Sequence, residues 1–387
     1  MKILHIAPNS VYVDYWGYQD NLLPKYHKKL GHDVAIIVPN RIYQDGKLVD
    51  VKCDDYYLND GVRVIRLKTE KYFLKTLSNI KCKMAVLKYL KEIKPDFIFF
   101  HGLISSTILG VIKYKKKYNP NCIIVQDTHM DYYNSVNNVD TFKKKLLRLY
   151  YRLLNKKSLP QVSKVYGVTP WRKTYAKDYF KIPKNKLDVL IMGADDEYVD
   201  LKNKNAIRDR IRKQYGVKEN EFLIVSGGKI DSAKNIHLLM KACANLDNVR
   251  LLIFGIVKDE IKEQFETILK ESTNIIYIGW IESNKVYDYF FSADLVCFPG
   301  THSVIWEQAC ACKVPCLFKR WEGMEHVNNG GNSDFIDDVS SDGIKLKIEE
   351  LLFTDKYYKM KEVAESDKTD IYLYSKIAEK SLETFKQ

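Results

Sequence analysis

Residues 222–235 read Phe-Leu-Ile-Val-Ser-Gly-Gly-Lys-Ile-Asp-Ser-Ala-Lys-Asn. An unbroken apolar run ends in two glycines, and a helical apolar pattern over 236–244 follows. Continuous apolar strands that feed helices belong to parallel sheets covered on both faces. The loop from Gly227 to Asn235 then lies at the carboxyl end of a strand, where open α/β sheets take their ligands. Glycine lets a ligand approach the backbone, a helix start offers open N–H groups, and Lys229 and Lys234 add positive charge. Together these make a pyrophosphate cradle held by charge. The loop matches neither G-x-x-x-x-G-K-[ST] nor G-x-G-x-x-G, and an ordinary glycine turn with solvated lysines uses the same residues.

The same alternation extends in both directions. Downstream, strands are expected at 249–254, 275–278, 295–298 and 314–318, with helices at 259–269, 285–292 and 305–311 between them. Upstream, strands at 2–7, 34–38, 97–100 and 123–126 alternate with helices near 20–30 and 105–118. Gly31 stands where a helix end favours a left-handed residue. The polar stretch 193–220 separates the two runs as a candidate linker, and 369–387 reads as a final helix. Two βαβ domains result, the first over 1–194 and the second over 195–368.

Composition sets bounds on function. The 387 residues are 46% apolar with only 10 prolines, which describes a folded globular chain. No stretch approaches the roughly 20 apolar residues of a spanning helix, and the first residues lack a signal-peptide pattern, so a cytoplasmic location is expected. Of eight cysteines, only Cys310, Cys312 and Cys316 cluster. A metal reading would add His302 or His326, but paired C-x-x-C spacing is missing, so small buried thiols and no metal are expected. Residues 1–194 carry 35 Lys and Arg against 16 Asp and Glu, while the remainder carries 27 against 33. The first half is drawn to polyanions and the second is not.

A second loop of the same kind covers 299–310, Pro-Gly-Thr-His-Ser-Val-Ile-Trp-Glu-Gln-Ala-Cys. Open N–H groups at Ser303 and Val304 suit a phosphate, and Glu307 suits ribose hydroxyls, although an acidic first-turn residue also stabilises a helix. The pair G-G-K-x-x-x-x-K-N and E-Q-A-C-A-C-K-V-P resembles the nucleotide-sugar half of the GT-B glycosyltransferases. Among these it looks most like the retaining family 4, whose pattern is E-x7-E ending in E-A-M-A-x-G-x-P-V. Gly17-Tyr18-Gln19, Leu30-Gly31-His32-Asp33-Val34 and the turn at Gly193-Ala194-Asp195 resemble further motifs of that family in the same order.

The resemblance implies an α/β GT-B fold, two facing Rossmann-like βαβ domains with a ligand cleft between them. Residues 1–194 would bind the acceptor and 195–368 the nucleotide-sugar donor, with 369–387 packing back on the first domain. It implies that Lys229 and Lys234 hold the diphosphate, with the Gly17 and Gly228 backbones closing on it. Glu307 would hold the ribose, and Ile278 and Gly279 would flank the base. His129, in Asp127-Thr128-His129, would lie near the transferred sugar, with His101 a second candidate. The first Glu of E-x7-E would fall at Pro299, which shifts its sugar contact to Thr301 or His302. Catalysis would rest on cationic stabilisation of the leaving diphosphate. The donor would be UDP- or GDP-linked and the acceptor a glycan or lipid-linked sugar. No separate cofactor and no metal are implied.

Residues 141–157 carry seven basic residues and no acid. Leu146, Leu147, Tyr150, Leu153 and Leu154 recur at helical spacing, which fits a core-packed helix with a basic solvated face and also, the preferred reading, a helix lying on an anionic membrane surface. Two rivals remain. A nucleotide-sugar 2-epimerase would use the same scaffold and would alter the donor without an acceptor. A basic nucleic-acid-binding protein fits the charge of the first half but lacks the motifs of any such module.

Overall fold

The computed structural model describes residues 1–44, 46–71, 81–135, 141–244 and 246–383. The chain forms two compact units, one of Met1–Ile191 with Ile377–Gln387 and the other of Met192–Lys376. The sequence boundary at 194/195 thus sits three residues late, and the tail expected as one helix from 369 is divided. Asp367–Tyr372 is a 3-10 turn, and the helix Tyr374–Ser381 contains the second crossing point.

In the first unit, β1 (Lys2–Ile6), α1 (Gln19–Lys29), β2 (Asp33–Pro39), β3 (Asp54–Tyr57) and β4 (Arg63–Leu67) come first. They are followed by α2 (Leu87–Ile93), β5 (Phe97–His101), α3 (Ile108–Lys117), β6 (Ile123–Thr128) and α4 (Phe142–Ser158). The unit closes with β7 (Lys164–Gly167), α5 (Pro170–Phe180) and β8 (Leu187–Val189). The sheet order is β8-β7-β6-β5-β1-β2-β4-β3, parallel except at β3–β4. Strand β5 reads Phe-Ile-Phe-Phe-His and is buried throughout, as a central strand covered on both faces must be. The strand order reverses between β1 and β5, which opens a crevice at their carboxyl ends.

The second unit begins with a segment read from sequence as linker. Residues 204–214 instead form α6 (Lys204–Gln214), and its Arg208 and Arg212 both bond the carboxylate of Asp294. Its charged outer face made this helix look like a tether. Then follow β9 (Phe222–Ile230), α7 (Ile236–Ala244), β10 (Val249–Val257), α8 (Asp259–Glu271), β11 (Ile275–Tyr277) and α9 (Val286–Ser292). The remainder is β12 (Leu295–Phe298), α10 (Ile305–Ala311), β13 (Cys316–Lys319), β14 (Ser333–Ile336), α11 (Ser341–Glu349) and α12 (Asp355–Glu365). All six strands are parallel, in the order β11-β10-β9-β12-β13-β14. Here the order reverses between β9 and β12, so the two loops singled out from sequence flank one crevice.

The glycine stretch itself differs from expectation. Strand β9 does not stop at Ser226 but pairs with β10 through Ile230, which puts Gly227, Gly228 and Lys229 on the strand. A Cβ on Gly227 would stand 2.4 Å from the Phe254 carbonyl oxygen, so packing against the neighbouring strand demands that glycine. Gly228, at φ +103°, would bring a Cβ no nearer than 4.0 Å to its neighbour, the Ile305 Cδ1.

Candidate donor site

The loops after β9 and β12 are bolted to each other. Thr301 donates its N–H to the Ala233 carbonyl at 3.0 Å, and Asn235 Nδ2 donates to the Pro299 carbonyl at 3.0 Å. Lys234 Nζ donates to the Thr301 carbonyl at 2.6 Å. Between the loops lies a cleft of about 310 Å³ lined by Gly227, Gly228, Lys229, Lys234, Thr301, Ser303 and Val304, among others. A second cavity of about 400 Å³ adjoins it at Gly228, Lys229 and Ile305, and is lined further by Gly255, Trp280, Ile281 and Gln308. Each falls in the range of roughly 300–1,000 Å³ typical of small-molecule sites.

The two lysines differ in state. Lys234 is half-buried, and its removal from water lowers its pKa. Lys229 is exposed and pairs with Asp231 at 2.7 Å, a contact that raises its pKa. One cation is preorganised by the protein, and the other can swing from a carboxylate to an incoming phosphate.

Glu307 is not where the ribose reading put it. It is fully buried, and its Oε1 accepts from His302 Nε2 at 2.9 Å and His326 Nε2 at 2.8 Å. Burial would raise its pKa, but the two imidazoles outweigh that and hold it well below the carboxylate range. His302 is drawn inward with it, and neither side chain lines either of these two cavities. The side chain that does is Gln308, one residue on and about 100° around the helix. The family pattern contains the signal for this shift. Counting E-A-M-A-x-G-x-P back from Pro315 puts Gln308 in the place of Glu and Lys313 in the place of Gly. Lys313 indeed has the left-handed φ of 56° that glycine would take.

The same count moves the first Glu of E-x7-E from Pro299 to Gly300. A Cβ on Gly300 would lie 2.3 Å from Lys234 Cα, so no side chain fits there. The absence of a side chain at this position thus follows from the docking of the two loops. The Ile278 N–H bonds the Ile253 carbonyl, the Gly279 carbonyl receives the Gly255 N–H, and Trp280 and Ile281 line the cavity in their place.

His302, Glu307 and His326 form a group with the composition of a metal site. The separations of 2.8 and 2.9 Å are those of hydrogen bonds, whereas tetrahedral ligands about 2.0–2.1 Å from zinc stand roughly 3.3 Å apart. Cys310, Cys312 and Cys316 are buried and unpaired, with Cys312 and Cys316 raised in pKa by desolvation. Cys53 is exposed.

In the first unit, Gly17 is exposed in the turn before α1. His129 keeps 43% of its side chain exposed, with Nε2 3.7 Å from Asp127 Oδ2. His101 is buried and bonds the same carboxylate at 2.9 Å.

Two Rossmann-like units, with a lysine-lined cleft at the switch point of the second, define an enzyme that handles nucleotide sugars. Residues 22–198 match the model of Glycosyltransferase Family 4 and residues 207–366 that of Glycosyl transferases group 1, and the chain belongs to this GT-B glycosyltransferase superfamily. An uncharacterised 41.2 kDa protein in the cps region of Klebsiella pneumoniae is 26% identical over 56% of this chain, a match that spans only 57% of that protein. The processive diacylglycerol alpha-glucosyltransferase of Acholeplasma laidlawii is 23% identical over 60% of this chain and 69% of its own length. The Anabaena protein HepE, solved in complex with UDP, superposes with a TM-score of 0.67 at 15% identity, covering 100% of both chains.

Proposed function

We propose that this glycosyltransferase moves a sugar, with retention of configuration, from a UDP- or GDP-linked donor to a glycan or lipid-linked acceptor in cell-surface polysaccharide synthesis. The observation that carries this reading is the cleft beside β9 and β12, which Lys229 and Lys234 both line, and beyond Gly228 a second cavity has room for a nucleoside. Gln308 takes the ribose and Trp280 covers the base. In the transfer, the bond from the anomeric carbon to the diphosphate breaks and the acceptor oxygen bonds that carbon on the same face. The acceptor proton passes to the departing phosphate oxygen. The protein's contribution is charge held ready for the diphosphate, with Lys234 already desolvated and oriented. A bound UDP in the Anabaena relative and a lipid acceptor in the name of the Acholeplasma relative favour these choices.

The acceptor side is read from α4. The helix buries Tyr151, Leu154, Asn155 and Ser158, while Phe142, Leu146, Leu149 and Leu153 stand exposed on the opposite face at spacings of four, three and four. Of the stripe expected from sequence, Leu147 and Leu154 turn to the core and Leu149 joins the outer face. Exposed Lys145 and Lys156 lie beside that face, a pattern that suits an anionic bilayer. We assign the enzyme to the cytoplasm, at the inner face of the membrane.

The test is a binding titration with UDP, GDP and their sugars, followed by NMR of the anomeric signal of the product. Stabilisation by one nucleotide and a retained anomer are expected. No nucleotide binding at all, or epimerised donor without acceptor, refutes the reading.

A further inference from the structure

The first unit holds a line of histidines that the transfer chemistry above leaves unused. Ser381 Oγ, on the last helix, meets His27 Nε2 at 2.7 Å, and His27 Nδ1 meets His5 Nε2 at 3.0 Å. His5 Nδ1 meets His101 Nε2 at 3.1 Å, and His101 Nδ1 meets Asp127 Oδ2 at 2.9 Å. His5, His27, Asp127 and Ser381 are completely buried, and His101 is 6% exposed. Asp127 Oδ1 also accepts the Gly102 N–H at 3.0 Å. Past Asp127 stands His129, the surface end of the line.

Each of the four links needs one proton, and the supply can be counted. Three neutral imidazoles bring three. The Ser381 hydroxyl reaches both the Ala378 carbonyl, at 2.8 Å, and His27 Nε2; a proton given to His27 would let three neutral rings suffice, whereas with its proton on the carbonyl it is an acceptor toward His27. His27 must then donate from Nε2 and accept at Nδ1. His5 in turn donates from Nε2 and accepts at Nδ1, which obliges His101 to donate from Nε2. Since His101 also donates from Nδ1 to Asp127, it carries both protons.

We propose that His101 is held as an imidazolium by the fixed tautomers of His27 and His5, and that the resulting His101–Asp127 ion pair positions His129 for sugar transfer. The charged and titratable groups around it agree. Asp127 on β6 and Asp20 on α1, the latter 3.4 Å from His101 Nδ1, face the cation, and His5 on β1 and His27 on α1 face its other nitrogen. Burial alone would lower the His101 pKa, and the two carboxylates outweigh it. Desolvation holds His5 and His27 neutral, His27 down to about 3. A carboxylate neutralised in this way keeps one orientation and can fix the ring of His129.

The role in transfer rests on the function proposed above, while the protonation state does not, so two measurements separate them. Nitrogen-15 NMR of the histidine side chains near pH ~7, where an unperturbed ring titrates, is expected to show His101 protonated on both nitrogens. It should show His5 and His27 as neutral Nε2–H tautomers. A neutral His101 overturns the proposal whatever the enzyme's activity. In His27→Phe, His5 is free to reverse its tautomer and His101 can lose its proton. We expect kcat to fall near pH ~8 and recover near pH ~6, with the donor KM unchanged. A pH profile parallel to that of the unaltered enzyme overturns the positioning role. Absence of nucleotide binding in the unaltered enzyme would instead overturn the function and leave the NMR result standing.

Discussion

Lys234 and Thr301 are joined by a hydrogen bond of 2.6 Å from the ammonium to the backbone carbonyl. This contact ties the loop after β9 to the loop after β12 and leaves a half-buried cation at the cleft. Lys234→Ala removes both the charge and the tie. We expect a loss of about 2–4 kcal/mol of transition-state stabilisation, roughly 30- to 1,000-fold in kcat. Lys229→Ala, which removes an exposed cation paired with Asp231, should cost less, and steady-state kinetics of the two variants will rank them.

Glu307 and Gln308 are neighbours with opposite duties. Glu307→Gln breaks the buried pairing with His302 and His326, so it should destabilise the fold by about 1–3 kcal/mol. Its donor KM should hold. Gln308→Ala should leave the melting temperature in place and raise the donor KM roughly three- to tenfold, the worth of one net hydrogen bond. Thermal unfolding beside donor kinetics distinguishes the two.

The buried histidines make stability pH-dependent, with a sign that can be worked out. His27 has a folded pKa near 3, below the unfolded value of about 6.5. As pH falls below about 6.5 the unfolded chain takes up a proton that the folded chain refuses. Stability is therefore fully present above about 6.5 and drains away toward pH 3, by up to about 1.4 kcal/mol per pH unit for each proton. His5 acts in the same sense. His101, with its pKa raised, acts oppositely: its contribution is present below about 6.5 and is lost as pH rises through its folded pKa. Urea unfolding between about pH 4 and 6.5 should give a shallower slope for His27→Phe than for the unaltered protein.

The exposed leucines of α4 give a prediction independent of the donor site. In flotation with vesicles of phosphatidylcholine and phosphatidylglycerol, the protein should float, and added salt should weaken the association. Leu149→Asp with Leu153→Asp should abolish flotation while nucleotide binding persists. Undiminished flotation, or a dimer that forms through this face in solution, would remove the membrane from the reading.

The architecture was readable because apolar runs of strand length alternate with helical patterns, and burial on both faces makes that pattern visible in one dimension. Strand 295–298 and helix 305–311 lie where the periodicity put them. The two loops that line the cleft also stood out, since each follows an apolar run and opens a helix. Boundaries were less so: β9 runs on to Ile230 because β10 pairs with it, and pairing partners are not written in the local sequence. Helix α6 looked like a tether for the same reason, as the Asp294 that its arginines grip lies some eighty residues away.

The amino-acid sequence by itself determined that this is a two-unit α/β enzyme with a cationic cleft after β9 and β12, because strand and helix periodicity and glycine-lysine loops are local properties. Only the tertiary structure decided that Gln308 and not Glu307 faces the cavity, that Gly300 admits no side chain, and that three histidines from β1, α1 and β5 meet in one line. Each of those facts depends on distances between backbones remote in the chain. A shift of one residue on a helix, about 100° of rotation, is enough to exchange a cavity-lining side chain for a buried one.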